Sequence, residues 1–267
     1  MFRNLTPIAK NLLIANIGLF FITAYFAPML KAYAALYYLG TPQFMPFQIF
    51  TYMFMHADFW HLFGNMFGLF IFGPLLEQFL GSKRFLILWM VAGIGAGILY
   101  SGYNAIQVGI INNKVSSYAA DPNPADFAKY IKDYRPYFDD KHLDFRDVYR
   151  ENPEDSQLAD TSSKIVTSLG ATLVNNIKRS SMIGASGALF GLLVAFAMLF
   201  PNTELFLLFL PVPIKAKYFV SVYILYSLYS EFMRAGYDNI AHMAHVFGAV
   251  VGFVLIYIWK KDRTNFY

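Results

Sequence analysis

The chain has 267 residues, of which 57% are hydrophobic and 14% charged, with a formal net charge of +4. Its mean hydropathy is +0.42, whereas soluble domains average roughly 45–50% apolar and 25% charged residues, so an ordinary soluble globule is excluded and lipid is the expected solvent. There are no cysteines, which excludes disulfides and thiolate metal sites and leaves stability to helix packing.

Six apolar runs come near or above the roughly 20 residues that a helix needs to cross a bilayer. They are residues 11–30, 60–80, 85–106, 182–200, 218–233 and 240–259. The first follows Arg3 and Lys10 and has no small-residue cleavage site behind a short core, so it reads as a membrane helix and not as a signal peptide. Gly73-Pro74 inside the second run is of a kind tolerated in membrane helices. The expected fold is an all-α membrane protein, a bundle of six transmembrane helices forming a single domain over 1–267, with a polar insertion at about 108–180. No internal repeat is visible.

Charge gives the orientation. Arg3, Lys10, Lys83, Arg84, Lys215, Lys217, Lys260, Lys261 and Arg263 fall on one side of a six-span chain, which the positive-inside rule makes cytoplasmic, with both chain ends there. The opposite side carries only Lys31, Lys178, Arg179 and Arg234 at the helix ends. The choice between a bacterial plasma membrane and an organelle stays open, and the compact core without an extra span favours the former. The basic rim suits anionic lipid, and nothing implies nucleic acid.

Between the third and fourth runs, residues 121–160 hold 11 acidic and 6 basic side chains, which leaves the remainder of the chain basic by nine charges. The segment is extracytoplasmic by topology. Asp121-Pro122-Asn123-Pro124 is a turn cluster, and residues 161–177 are expected to form an amphipathic helix lying on the membrane surface. Low aliphatic content reads as an elaborated loop and not an independent domain.

Polar groups inside apolar spans are costly and are functional candidates by default. Spans two, four and six run inward from the outer face, so His61, Asn65, Ser186 and His245 all lie in the outer half of the bilayer. Ser186 sits in Gly184-Ala185-Ser186-Gly187; small residues of this kind also serve close helix packing. Given an adjacent imidazole, the hydroxyl becomes a nucleophile, and helix-start amides can hold the oxyanion. Ala244, Gly248 and Gly252 form a small-residue stripe beside His245, and Gly187 and Gly191 offer a matching face. His61 and Asn65 are four apart, so they share one helical face, either joining helices or aiming donors at a developing negative charge. His242 lies three residues before His245 and, with His56 and His61, raises a metal site. The scarcity of nearby carboxylates argues against it, so no metal or cofactor is expected. His242 receives no role. Glu77 and Glu231, late in spans two and five, read as interfacial or structural.

His61-x-x-x-Asn65 in the second span, Gly184-x-Ser186-Gly187 opening the fourth and Ala244-His245-x-x-Gly248 in the sixth together resemble the rhomboid family of intramembrane serine proteases. The resemblance covers the six-span core. It implies that Ser186 is the nucleophile and His245 the base of a dyad without an aspartate, and that His61 and Asn65 are oxyanion donors alongside the Ser186 amide. It further implies endopeptidase activity on transmembrane proteins as partners, within membrane lipid. Glu77 followed by Gly81-Ser82-Lys83-Arg84 also looks like the family's end to span two. Two departures stand out. Phe47-Gln48 occupies the place of a frequent Trp-Arg pair, and the acidic insertion is longer than in minimal members. The sequence leaves two rivals, a rhomboid-like protein that escorts membrane clients without cutting them and a transporter using the buried histidines. It does not give an oligomeric state or a substrate.

Overall fold

The computed structural model describes residues 5–207, 210–233 and 241–261. Arg3, Arg234 and Arg263 of the charge pattern, and residue 240 at the start of the sixth run, lie outside them. The chain divides into two compact units, Met1–Ser101 with Ser181–Tyr267, and Gly102–Ser180.

The first unit begins with α1 (Pro7–Phe21), which has Pro7 in its first turn and relaxes into a π-helical turn over Ile22–Phe26. There the Ala27 amide reaches back to the Ile22 carbonyl, and Pro28 follows, disfavouring helical backbone at the residue before it. Then come α2 (Pro28–Ala34), β1 (Leu36–Tyr37) and α3 (Gln48–Thr51). The long α4 (Phe59–Leu80) starts at Asp58, whose carboxylate accepts the His61 amide. It ends at Gly81, where φ is +77°. Its partner α1 has its first amides taken from a distance, because the Glu77 carboxylate of α4 accepts from the Ile8 and Ala9 N–H groups at 3.1 and 2.8 Å. Ser82 donates to the same carboxylate at 2.6 Å, so Glu77 is a structural clasp joining three helix ends.

Helix α5 (Ser82–Ala120) begins in the first unit and ends in the second. Its length exceeds the expected run at 85–106, because no Pro interrupts the sequence until the Asp121-Pro122 turn. Three helices of the second unit follow: α6 (Pro124–Asp133), α7 (Asp140–Glu151) and α8 (Ser156–Arg179). Returning to the first unit, β2 (Ser181–Met182) pairs antiparallel with β1, Leu36 opposite Met182. The unit closes with α9 (Ser186–Leu199), a hairpin of β3 (Glu204–Leu207) and β4 (Leu210–Lys215), α10 (Ala216–Met233) and α11 (His242–Lys261).

All six apolar runs therefore contain a helix. Among the described residues, four stretches are long and apolar enough to cross a membrane: Pro7–Phe26, Phe59–Leu80, Ser82–Ala120 and His242–Lys261. The protein is an integral membrane protein of predominantly helical fold. The first unit packs around α9, whose residues from Gly187 to Phe196 are all buried, while large apolar side chains such as Phe63, Leu75, Leu225 and Phe253 face outward. That inversion suits lipid surroundings, where outward polarity would be penalised.

In the second unit, Phe127, Tyr130, Ile131, Phe138, Tyr149 and Val166 form a separate apolar cluster. The segment expected to be an elaborated loop is thus helical with a core of its own. Residues 161–177 do form an amphipathic helix, within α8, on which Val166, Leu173 and Val174 are buried, Val166 as part of this cluster. A Cβ added at Gly170 would lie 2.3 Å from Val115 of α5. The exposed positions of α8 are mostly polar, among them Thr161, Lys164, Thr167, Ser168 and Asn175.

Candidate active site

The site is assembled by contacts between helix backbones. A Cβ at Gly248 of α11 would fall 2.0 Å from the Gly187 carbonyl oxygen, and one at Gly252 would fall 2.5 Å from that of Gly191. The two small-residue faces read from the sequence therefore meet, and α9 and α11 touch without intervening side chains, as membrane helices with small residues do. On that seam the Ser186 hydroxyl and His245 Nε2 stand 2.8 Å apart. Both side chains are half-buried, so the pair is reachable.

Phe190, one turn after Ser186, stacks on the His245 ring with centroids 4.4 Å apart and planes 8° from parallel. It fixes the imidazole plane by packing. Sequence reasoning passed over it, although its four-residue spacing from Ser186 places both on one face of α9.

The Ser186 turn is held from outside its own helix. Gly184 has φ +124°, a conformation that L side chains rarely adopt, and its amide donates to the Tyr52 carbonyl at 2.9 Å. A side chain there would also strike His61, whose Nε2 lies 2.6 Å from the Cβ position, with Ser186 Oγ at 3.8 Å. The His61 ring thus lies against the Gly184 turn. The Ala57 amide donates to His61 Nδ1 across a long 3.5 Å contact, which places the proton of the neutral ring on Nε2, the nitrogen facing the turn. Helix α9 has no side-chain cap at Ala185, so its first amides, beginning with Ser186, are not claimed by a capping side chain.

Asn65 is buried on the His61 face, as expected, but its side-chain amide donates to the His61 carbonyl at 3.0 Å and so braces that turn of α4. His56 is fully buried with its ring edge-on to His61, centroids 5.2 Å apart. Burial, and then the neighbouring His61, push its pKa down to about 3, so it is neutral under ordinary conditions. His242 makes the equivalent edge-on approach to His245, at 6.1 Å. Among the described residues, no three His, Asp or Glu side chains gather as a metal site would require.

Gln48, at the place of the family's frequent arginine, is 1% exposed. Its amide donates to the Tyr33 and Gln43 carbonyls, both at 3.0 Å, and its oxygen accepts from Met45 at 3.1 Å. The loop between α2 and α4 is thus anchored by a neutral side chain.

A family model described as the Rhomboid domain matches residues 43–110 and 160–261, well over half of the chain, and the gap between the matched stretches falls inside the second unit. A curated relative from Schizosaccharomyces pombe, described as an uncharacterized mitochondrial rhomboid protein, is 28% identical over 219 residues, which are 78% of this chain and 50% of that protein. The chain therefore spans about half the length of the curated relative it matches. With Ser186 and His245 meeting on the α9–α11 seam, His61 against the Gly184 turn, and a family model spanning both sides of the insertion, the chain belongs to the rhomboid family.

Proposed function

We propose that this protein is a serine endopeptidase that hydrolyses peptide bonds in or near transmembrane segments of other membrane proteins. The observation that carries the proposal is the 2.8 Å approach of Ser186 Oγ to His245 Nε2 across glycine-lined helices. In the reaction, His245 Nε2 accepts the Ser186 proton as Oγ attacks the scissile carbonyl carbon. Negative charge moves onto the carbonyl oxygen, where the His61 Nε2–H, the Asn65 side-chain amide and the Ser186 backbone N–H serve as donors. Collapse breaks the C–N bond, and His245 returns the proton to the leaving amine. Water, deprotonated by His245, then hydrolyses the acyl-enzyme. An aspartate would ordinarily orient such an imidazole; the Phe190 stack takes that part here.

On this reading residues 1–267 form one rhomboid-like domain with six spans, α1, α4, α5, α9, α10 and α11, and an extracytoplasmic insertion at about 108–180. The Lys10, Lys83, Arg84, Lys260 and Lys261 face is cytoplasmic in a bacterial plasma membrane. The mitochondrial designation of the relative favours a second setting, an organelle membrane, for the same topology. Reporter fusions placed within residues 121–160 and after Lys261 should report opposite sides of the membrane.

Fluorophosphonate labelling and cleavage of a transmembrane substrate test the chemistry directly. Ser186→Ala is expected to lose labelling and to drop cleavage by at least about 10⁴-fold while remaining folded. His61→Ala and Asn65→Ala should each slow turnover, by up to ~10²–10³-fold. Wild-type protein that binds membrane clients but neither labels nor cleaves would be an escort instead.

A further inference from the structure

Building on the Ser186–His245 reading, we propose that Tyr52 is a positioning residue that fixes the nucleophile-bearing turn against α5. Tyr52 opens a short 3-10 turn, Tyr52–Phe54, and is 2% exposed. Its phenol donates to the Gly93 carbonyl of α5 at 2.6 Å. Its backbone carbonyl accepts the Gly184 N–H at 2.9 Å. One residue thus links a transmembrane helix to the turn that presents Ser186.

The surroundings are shaped for that link. A Cβ at Gly97 would meet the Tyr52 ring at 2.9 Å, and one at Gly187 would lie 3.6 Å from the phenolic oxygen. The ring fills a slot between α5 and the start of α9, where phenylalanine would fit equally well as filler. The hydroxyl adds a fixed endpoint, because a buried phenol is held by the partner it must keep. The Gly184 turn that Tyr52 holds is also the turn against which His61 rests. A shift of the Tyr52 carbonyl therefore displaces the nucleophile, its backbone amide and the His61 surface together, with no substrate group touched.

The test uses the full chain in detergent or proteoliposomes, as wild type, Tyr52→Phe and Tyr52→4-aminophenylalanine, the last retaining a donor for the Gly93 carbonyl. Tyr52→Phe is expected to lower kcat on a transmembrane substrate ~10-fold with KM within about twofold, and to slow fluorophosphonate labelling by the same factor. The amino variant should recover most of both losses, which a simple loss of stability would not predict. Hydrogen exchange at the Gly184 amide is read alongside: protected in wild type, faster in Tyr52→Phe, with amides inside α9 unchanged. Unchanged kcat in folded Tyr52→Phe, failure of the amino variant to rescue, or an unprotected Gly184 amide in wild type overturns the proposal. The last measurement decides it even where Tyr52→Phe does not fold. Wild-type protein with neither cleavage nor labelling would instead sink the protease reading, while exchange at Gly184 still decides whether Tyr52 holds the turn.

Discussion

In the second unit each helix start is capped by a residue from its own immediate sequence. Asn123 accepts the Asp126 amide, Asp139 that of His142, and Asp155 those of Gln157 and Leu158. The pairs Lys114–Asp133, Arg146–Asp147 and Lys164–Asp160 then lace its exposed faces. In the first unit, α1 is capped by Glu77, 68 and 69 residues away along the chain, and α9 starts without a side-chain cap. Local caps let a helix form on its own account in water. A distant cap forms only when the helices have packed, and an uncapped start keeps its donors available to something that arrives later. At α1 and α9, though not at α4 with its local Asp58 cap, the first unit thus exchanges local stability for a site.

Substitutions of two glycines that both mark close helix contacts should break the units differently. The largest effect is expected for Gly248→Val, where the obstacle is the Gly187 backbone carbonyl, which cannot rotate away. Forced separation of α9 and α11 should destabilise the protein by about 3 kcal/mol or more, seen as a lower melting temperature in detergent with loss of Ser186 labelling. An unchanged melt would mean that the seam does not hold the unit. Gly170→Val is expected to cost less, about 1–2 kcal/mol, since it meets the Val115 side chain, which can yield. The damage should appear as faster proteolysis within residues 121–160, with labelling of Ser186 retained; lost labelling would show that the two units do not respond separately.

The smallest effect is acid sensitivity of the second unit. Hydrogen bonds from the His142 side chain and then its backbone hold the Asp139 carboxyl below its usual 3.8. Because the folded value is the lower one, this stabilisation is present above pH 3.8 and fades as pH falls through the folded value. Asp139→Asn keeps the cap but cannot titrate, so the acid dependence of the second unit's melting should flatten; identical acid curves for both proteins would remove Asp139 from the account.

The helices and the Ser186–His245 meeting were legible because both are written in short-range signals. Apolar runs report spans, and the stripes Gly187, Gly191 and Ala244, Gly248, Gly252 report which faces can touch. Element ends were less legible. The fourth run begins at residue 182, yet Met182 lies in β2, since a two-residue strand is set by its partner Leu36 and leaves no periodicity to read. The compactness of the second unit was missed because its core is aromatic, and composition judged by aliphatic content undervalues Phe127, Tyr130 and Tyr149. Gln48 bonds the carbonyls of Tyr33 and Gln43, and Tyr52 that of Gly93 in α5, pairings for which residue type gives no signal.

The 14 residues of α9 make it about 21 Å long, roughly 9 Å short of a typical hydrocarbon core. Its residues from Gly187 to Phe196 are buried by its neighbours. On the proposed protease reading, that short length sets how deep the Ser186 turn lies. One added helical turn would move the Ser186 turn by about 5.4 Å, so on the same reading the depth of cleavage follows from the length of a single segment.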